Sequence, residues 1–345
     1  MNQIEDIALT RIGVVGAGSW GTALAKLLAD KGFALDFWVY EPEVREQIET
    51  FRENQVFLPG FFLPESIRPS NDLETVVTDK DLVLVVVPSH FMRAVAAQMK
   101  PFIKKDAVVV SASKGIENKT HLTMTGILEE ILEGLPPRNL AVLSGPSFAK
   151  EVAARIPTVV AAASVDRQVA RFVQSVFSCP TFRVYVNDDP IGTQIGGAMK
   201  NVLAIAAGIC DGMNMGLNPR AALITRGLTE MNRLGIRLGA DPLTLSGLAG
   251  VGDLLLTCTG TLSRNHTVGV QIGQGKKLDD IISEMRMVAE GVKTTRSVYN
   301  LSRKLGVDLP ICNEVYHVLF EDFPVTETVQ RLMNRSLKHE LDGVL

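Results

Sequence analysis

The chain lacks the features that would place it in several large classes of protein. Of its 345 residues only four are cysteines, Cys179, Cys210, Cys258 and Cys312. They are scattered, with no CxxC pair and no metal-ligand spacing. This argues against a disulfide scaffold or a zinc framework and suits a reducing compartment. No metal is expected. Charge of one sign is also missing, since 35 basic and 38 acidic side chains leave a formal net charge of −3. That balance gives no reason to expect nucleic acid or an anionic membrane as partner, so any bound anion must meet a local cluster of positive groups. No apolar run approaches the ~20 residues of a membrane-spanning helix. The opening MNQIEDIALTR carries acids where a secretory signal carries basic residues. Internal repeats and low-complexity tracts are absent as well. The expectation is a soluble, cytoplasmic protein without membrane insertion that acts on a small molecule.

What is present is a globular balance, 46% hydrophobic and 21% charged residues. The length favours two domains. In the first half, strand-like and helix-like patterns alternate. RIGVVGAG is a short β-branched run that ends in glycines, and SWGTALAKLLADKG then shows helical spacing with Gly32 as C-cap. ALDFWVYEP is a second strand, stopped at Pro42. DLVLVVVPS, DAVVVSASKG, NLAVLSGPS and PTVVAAAS are continuous apolar runs, as expected of a parallel sheet covered on both faces. From Pro190 onward long helical patterns dominate. The fold class is therefore α/β: a doubly wound, Rossmann-like domain over residues 1–190, then a mainly α-helical domain over 191–345. The small-residue helices of the second domain could serve as the interface of a homodimer.

Gly16, Gly18 and Gly21 make a GxGxxG loop that follows a strand and opens a helix. Gly16 permits the tight turn, Gly18 lets a pyrophosphate approach the backbone, and Gly21 lets helix pack on strand. The helix N-terminus offers free N–H groups and a partial positive charge to the phosphates. A merely tight turn would need no ligand, but the context favours a dinucleotide. The second strand ends FWVYEPE. Glu41 there suits a ribose 2′-hydroxyl and hence NAD, Tyr40 could flank the adenine, and Arg45 keeps NADP open.

Three further stretches are costly unless they serve a site. Lys114, in SASKGIE, directly follows an apolar strand at the carboxyl end where open α/β sheets bind ligands. Lys200, in GGAMKNVLAIAAG, has Gly196, Gly197, Leu203 and Ala204 as its neighbours one helical turn away, so its face should pack against something. Asp253 lies in a glycine-dense stretch that suggests close backbone approach, with Thr257 one turn later. Ser263, Arg264 and Asn265 offer a fork of donors suited to a phosphate. Singly, each has an ordinary reading: a loop lysine, a snorkelling lysine, an N-cap aspartate and a surface arginine. Together they favour a common site.

In these motifs and their order the sequence resembles the NAD(P)-dependent glycerol-3-phosphate dehydrogenases of the soluble bacterial type. GAGSWGTALA, VPSH, SKGIE, SGPSFAKE, GGAMKNVLAIAAGICDG, TRGLTEM, GLAGVGDLLLTC, SRN and VAEGVKT carry the resemblance, which spans nearly the whole chain. It implies dinucleotide contacts at Ser19, Trp20, Ala149, Val288 and Glu290, and contacts to both cofactor and substrate at Lys114. It implies substrate contacts at Gly145 and Ser147, a catalytic proton donor and acceptor in Lys200, and its acidic partner in Asp253. Ser263, Arg264 and Asn265 match the substrate-binding triplet, Arg264 also touching the cofactor. Many bacterial relatives place a basic residue or histidine where Tyr40 stands, so NAD and NADP both stay open.

The implied reaction is reversible hydride transfer between a nicotinamide and dihydroxyacetone phosphate, giving sn-glycerol 3-phosphate for phospholipid biosynthesis. Desolvation should lower the pKa of Lys200 and Asp253 should raise it. Two alternatives remain at this point. A β-hydroxyacid dehydrogenase or ketopantoate-reductase-like enzyme would share the domain order, although relatives of the first kind commonly set Lys and Asn one helical turn apart. A non-catalytic dinucleotide sensor would keep the glycine loop but leave Lys114, Lys200 and Asp253 without a common purpose.

Overall fold

The computed structural model of the chain describes residues 7–285, 289–337 and 339–340. Two compact units account for it: Met1–Ser113 with Met124–Pro190, and Lys114–Thr123 with Ile191–Leu345. A single cut near 190 therefore misses one excursion. Residues 114–123 leave the first unit after its fifth strand and pack with the second.

The first unit is built on an eight-stranded sheet: β1 Ile12–Val15, β2 Leu35–Trp38, β3 Ile67–Ser70, β4 Leu82–Val85, β5 Val108–Ser111, β6 Leu140–Ser144, β7 Thr158–Ala163 and β8 Phe182–Asn187. Their order is β3-β2-β1-β4-β5-β6-β7-β8. The first six are parallel in the order of a dinucleotide-binding fold. Every residue of β1, β2 and β4 is buried, which requires cover on both faces and explains why these strands read as unbroken apolar runs. Asp36 is the exception inside β2, held between Lys80 (2.7 Å) and Arg68 (2.8 Å). The sheet is not parallel throughout: β7 runs antiparallel to β6, and β8 parallel to β7.

Strand order reverses between β1 and β4, and the glycine loop leaves β1 at that point. Ser19–Asp30 is the helix it opens, burying Ala23, Leu24, Leu27 and Leu28. Lys31 is the C-cap rather than Gly32; Gly32 follows it with φ +107°, the left-handed residue that ends such helices.

In the second unit the helices Pro190–Gly212, Leu217–Arg237, Asp253–Thr259, Arg264–Gly273, Glu290–Leu305 and Pro310–Phe320 carry most of the core. Pro190–Gly212 is apolar all round and almost wholly buried, so its neighbours surround it. Leu217–Arg237 and Pro310–Phe320 are tied by a buried carboxylate. Glu230 accepts the N–H groups of Ile311 (2.6 Å) and Cys312 (3.1 Å) in the opening turn of the second of these helices. One helical run, Pro242–Thr259, is 18 residues long and apolar enough by composition to cross a membrane, contrary to the sequence expectation. It is the pieces Pro242–Leu245, a π-helical turn Leu248–Gly252 and Asp253–Thr259, and it buries Leu245, Leu254 and Cys258 in the unit's own core.

Candidate active site

The first unit offers a loop of bare backbone. Gly16 takes φ +112°, and a methyl on Gly21 would lie 1.9 Å from the Gly16 carbonyl oxygen, so loop and helix touch main chain to main chain. Gly18 stands at the N-cap and no side chain caps the helix. A methyl there would meet no protein atom within 4 Å, which leaves the approach to the free N–H groups open. A dinucleotide pyrophosphate fits that opening.

Around this loop, Ser19 Oγ donates to the Phe57 carbonyl (2.6 Å). Buried Asn54 donates to the Ala17 carbonyl (2.8 Å) and to Thr22 Oγ1 (2.9 Å). Trp20 and Ala149 pack against one small cluster of Ala23, Leu58 and Ala153, and the half-buried indole N–H of Trp20 meets no acceptor in the structure. Gly145 follows β6, and Ser147 Oγ donates back to its carbonyl (2.9 Å). Tyr40 is 73% exposed beyond the end of β2, edge-on to Trp38 with ring centroids 5.9 Å apart. Glu41 is the N-cap residue of the Pro42–Phe51 helix, and Arg45 pairs with Glu49 at 2.5 Å.

The second unit places the charges. Asp253 is completely buried and Lys200 is 7% exposed. Lys200 Nζ donates to Asp253 Oδ1 (2.5 Å) and Thr257 Oγ1 (2.9 Å). Thr257 spends its own proton on the Asp253 main-chain carbonyl (2.6 Å), so its oxygen faces the ammonium as an acceptor. Lys114 Nζ donates to the other carboxylate oxygen, Oδ2, at 2.6 Å. The meeting depends on Gly196, one turn before Lys200. A methyl there would lie 2.2 Å from the Ala249 carbonyl oxygen, so only glycine lets the π-helical turn before Asp253 lie on the Lys200 helix. Burial pushes the Lys200 ammonium well below the ordinary lysine range; Asp253 opposes this and Lys114 adds to it. Cys258, on the same helix as Asp253, is pushed up to about 12 by burial and stays a neutral thiol.

The SRN triplet divides its tasks. Ser263 caps the Arg264–Gly273 helix, accepting from the His266 N–H at 3.2 Å. Arg264 opens that helix, where desolvation lowers the proton affinity of its guanidinium and the Glu290 carboxylate opposes this. Asn265 corrects the expectation of three outward donors: it is buried, donating to Asn201 Oδ1 (2.9 Å) and accepting the Gly291 N–H (2.9 Å). That leaves one carboxamide hydrogen for a ligand. Asn201 thereby acquires a task that its place beside Lys200 only hinted at. Sequence reasoning also missed Asp211, which holds His266 (2.8 Å) and Arg220 (3.0 Å) and so braces the helix behind Arg264. Val288 lies outside the described residues, and Glu290 begins its helix. Lys114, expected in the 1–190 domain, lies in the helical unit, where it meets Asp253 beside Lys200.

A glycine loop at the switch point of a doubly wound sheet, with a buried lysine, aspartate and threonine on a helical unit, defines a nicotinamide-dinucleotide-dependent dehydrogenase. Comparison narrows this class. Family models described as the N-terminus and the C-terminus of NAD-dependent glycerol-3-phosphate dehydrogenase match residues 11–170 and 189–330, and the chain belongs to that family. It is 58% identical over 332 residues to a glycerol-3-phosphate dehydrogenase [NAD(P)+] of Syntrophobacter fumaroxidans, covering 96% of this chain and 97% of that one. A relative of the same name from Geobacter sulfurreducens is 54% identical over 96% of this chain and 98% of its own. The crystal structure of glycerol-3-phosphate dehydrogenase from Coxiella burnetii superposes with a TM-score of 0.91 at 39% identity, over 95% of this chain and all of that one.

Proposed function

We propose that the chain catalyses reversible hydride transfer between NAD(P)H and dihydroxyacetone phosphate, giving sn-glycerol 3-phosphate as the backbone for glycerophospholipid synthesis. The observation that carries this reading is the Lys200 ammonium, buried between the Asp253 carboxylate and the Thr257 hydroxyl with Lys114 on the far oxygen. A bound nicotinamide supplies or accepts the hydride. The remaining work falls to the chain. Reduction of a ketone builds negative charge on its oxygen, and a donor within hydrogen-bond reach must supply a proton. Lys200 has three N–H groups, and two are committed to Asp253 and Thr257. The third is aimed by those two and serves the substrate oxygen. Its lowered proton affinity lets the same amine act as base in the reverse direction. With both lysines charged the cluster carries one net positive charge, which favours an anionic substrate and the developing alkoxide. Arg264, with Ser263 and the remaining Asn265 hydrogen, takes the phosphate, and Gly145 and Ser147 contact the substrate. Binding energy at the phosphate then orients the reacting carbon.

On the cofactor side the glycine loop, Ser19, Trp20, Ala149, Val288 and Glu290 hold the dinucleotide. NAD(H) is placed ahead of NADP(H), because Glu41 stands at the end of the second strand and Arg45 is paired with Glu49. A cytoplasmic homodimer is the assembly proposed; the four free cysteines suit that compartment. The alanine- and glycine-rich Lys200 helix is buried inside its own unit.

Initial rates of NADH and NADPH oxidation with dihydroxyacetone phosphate, against unphosphorylated dihydroxyacetone and 2-keto acids, test the reading. Turnover confined to keto acids, or none with the ketose phosphate, would overturn it.

A further inference from the structure

Residues 114–123 cross from the first unit's fifth strand into the second unit and back, carrying Lys114 at their head. This strap is short, so what fixes its path fixes Lys114. Ile116 is buried in the helical core. The strap closes on itself where the Glu117 N–H donates to the Leu122 carbonyl (2.9 Å) and Ile116 bridges to Thr123. A further tie comes from outside it. Ser297, fully buried on the Glu290–Leu305 helix, shares its hydroxyl proton between two acceptors of the strap, the Ile116 carbonyl (2.7 Å) and Asn118 Oδ1 (2.9 Å). A buried helical serine ordinarily turns back to the carbonyl four residues earlier. Here that carbonyl, of Lys293, is at 3.4 Å, and the strap has the closer claim. The carbonyl that Ser297 holds is two residues from Lys114, about 7 Å of chain at most.

We infer that Ser297 is a positioning residue for the reaction: by fastening strap 114–123 to the Glu290–Leu305 helix it keeps the Lys114 ammonium on Asp253, opposite Lys200. The inference rests on the reading of Lys200 as proton donor. The groups facing Lys200 are Asp253, Thr257 and Cys258 from one helix and Lys114 from the strap. Among the described residues, Lys114 is the one of these with the same sign of charge. If the strap slackens, Lys200 keeps its counter-ion and loses a repelling neighbour, so it holds its proton to higher pH. During reduction the protonated amine is the active form, so activity persists further into alkali even as the rate drops.

The test is the pH profile of kcat/KM for dihydroxyacetone phosphate reduction by NADH, in the full-length enzyme, for wild type and Ser297→Ala. Ser297→Ala is expected to lose ~10-fold in kcat/KM and to move its falling limb to higher pH, whereas Ser297→Thr, which keeps the hydroxyl, retains the wild-type limb. On a Lys114→Ala background, Ser297→Ala is expected to cost nothing further, because one acts through the other. A Ser297→Ala limb at the wild-type position, or losses that add in full on that background, would overturn the inference. Should Ser297→Ala not fold, Asn118→Ala loosens the same strap and must shift the limb in the same direction; an unmoved limb there overturns it equally. Failure of the wild type to oxidise NADH with this substrate strikes the functional reading itself, and is seen before any variant is compared.

Discussion

The two units build their halves of the chemistry by opposite means. Around Gly16, Gly18 and Gly21 the first unit removes side chains until main chain meets main chain and helix N–H groups stand open. Around Asp253 the second unit buries a carboxylate and the Lys200 ammonium and half-buries that of Lys114, where a protein interior ordinarily has no charge. The first device is cheap and tolerant of what surrounds it. The second is costly, because each ion loses its hydration and only the mutual pairing compensates. On the proposed reading, the proton chemistry falls to the second unit and the pyrophosphate to the first.

Lys200→Ala should break the contrast most deeply, lowering kcat for ketose-phosphate reduction by ~10³-fold. NADH affinity, read from protein fluorescence, should stay near that of the wild type. A comparable loss of both would mean that the units are not chemically separate.

The second unit also holds a buried carboxylate, Glu230, whose bonded partners among the described residues are backbone N–H groups, and this sharpens the contrast with the ion-paired Asp253. Burial pushes it up to about 7 from an ordinary 4.5, against the pull of the two backbone N–H groups it accepts. The folded state thus binds this proton more tightly than the unfolded one. Its contribution is fully present below about pH 4.5 and is lost as pH rises through about 7. The loss is on the order of 3 kcal/mol. Urea midpoints across that range should fall with pH in the wild type and fall less in Glu230→Gln.

Arg264→Ala should raise KM for dihydroxyacetone phosphate by about 10- to 100-fold, the size of a lost charged hydrogen bond. Rates with unphosphorylated dihydroxyacetone should hardly change. Smallest of the four is Gly18→Ala. Its methyl meets no protein atom, so the melting temperature should hold while NADH binds ~10-fold more weakly. A lowered melting temperature with unchanged binding would show that the loop serves the fold alone.

Much of this was readable in the sequence, and the gaps have physical causes. Strands β1, β2, β4, β5, β6 and β7 announce themselves because burial on two faces leaves unbroken apolar runs. β3 does not: Ile-Arg-Pro-Ser is an edge strand with Ile67 as its one buried residue. β8 alternates, with Phe182 and Val184 buried and Arg183 and Tyr185 exposed, a signal that was present and passed over. The direction of β7 is set by its partner and leaves no local mark. In the site, the Asp253–Thr257 spacing is a property of one helix and was legible. That Lys114 pairs across 139 residues with Asp253 was not, since its place after β5 points to the sheet. Asn265 was legible only in part. Beside Ser263 and Arg264 it looks like a third ligand donor, and only folding brings Asn201 and Gly291 to both ends of its amide.

The ten-residue excursion that delivers Lys114 has a consequence for how this protein can be divided. A fragment beginning at residue 191 would contain Lys200, Asp253, Thr257 and Arg264, yet it would lack one of the two cations on the buried carboxylate and leave the seat of Ile116 empty. The other fragment would keep that loop whole but leave Ile116 and Asn118 no helix to grip. Recombination at the apparent seam would thus separate groups that only work together, so inheritance of this catalyst as one uninterrupted gene product is written into the route of its backbone.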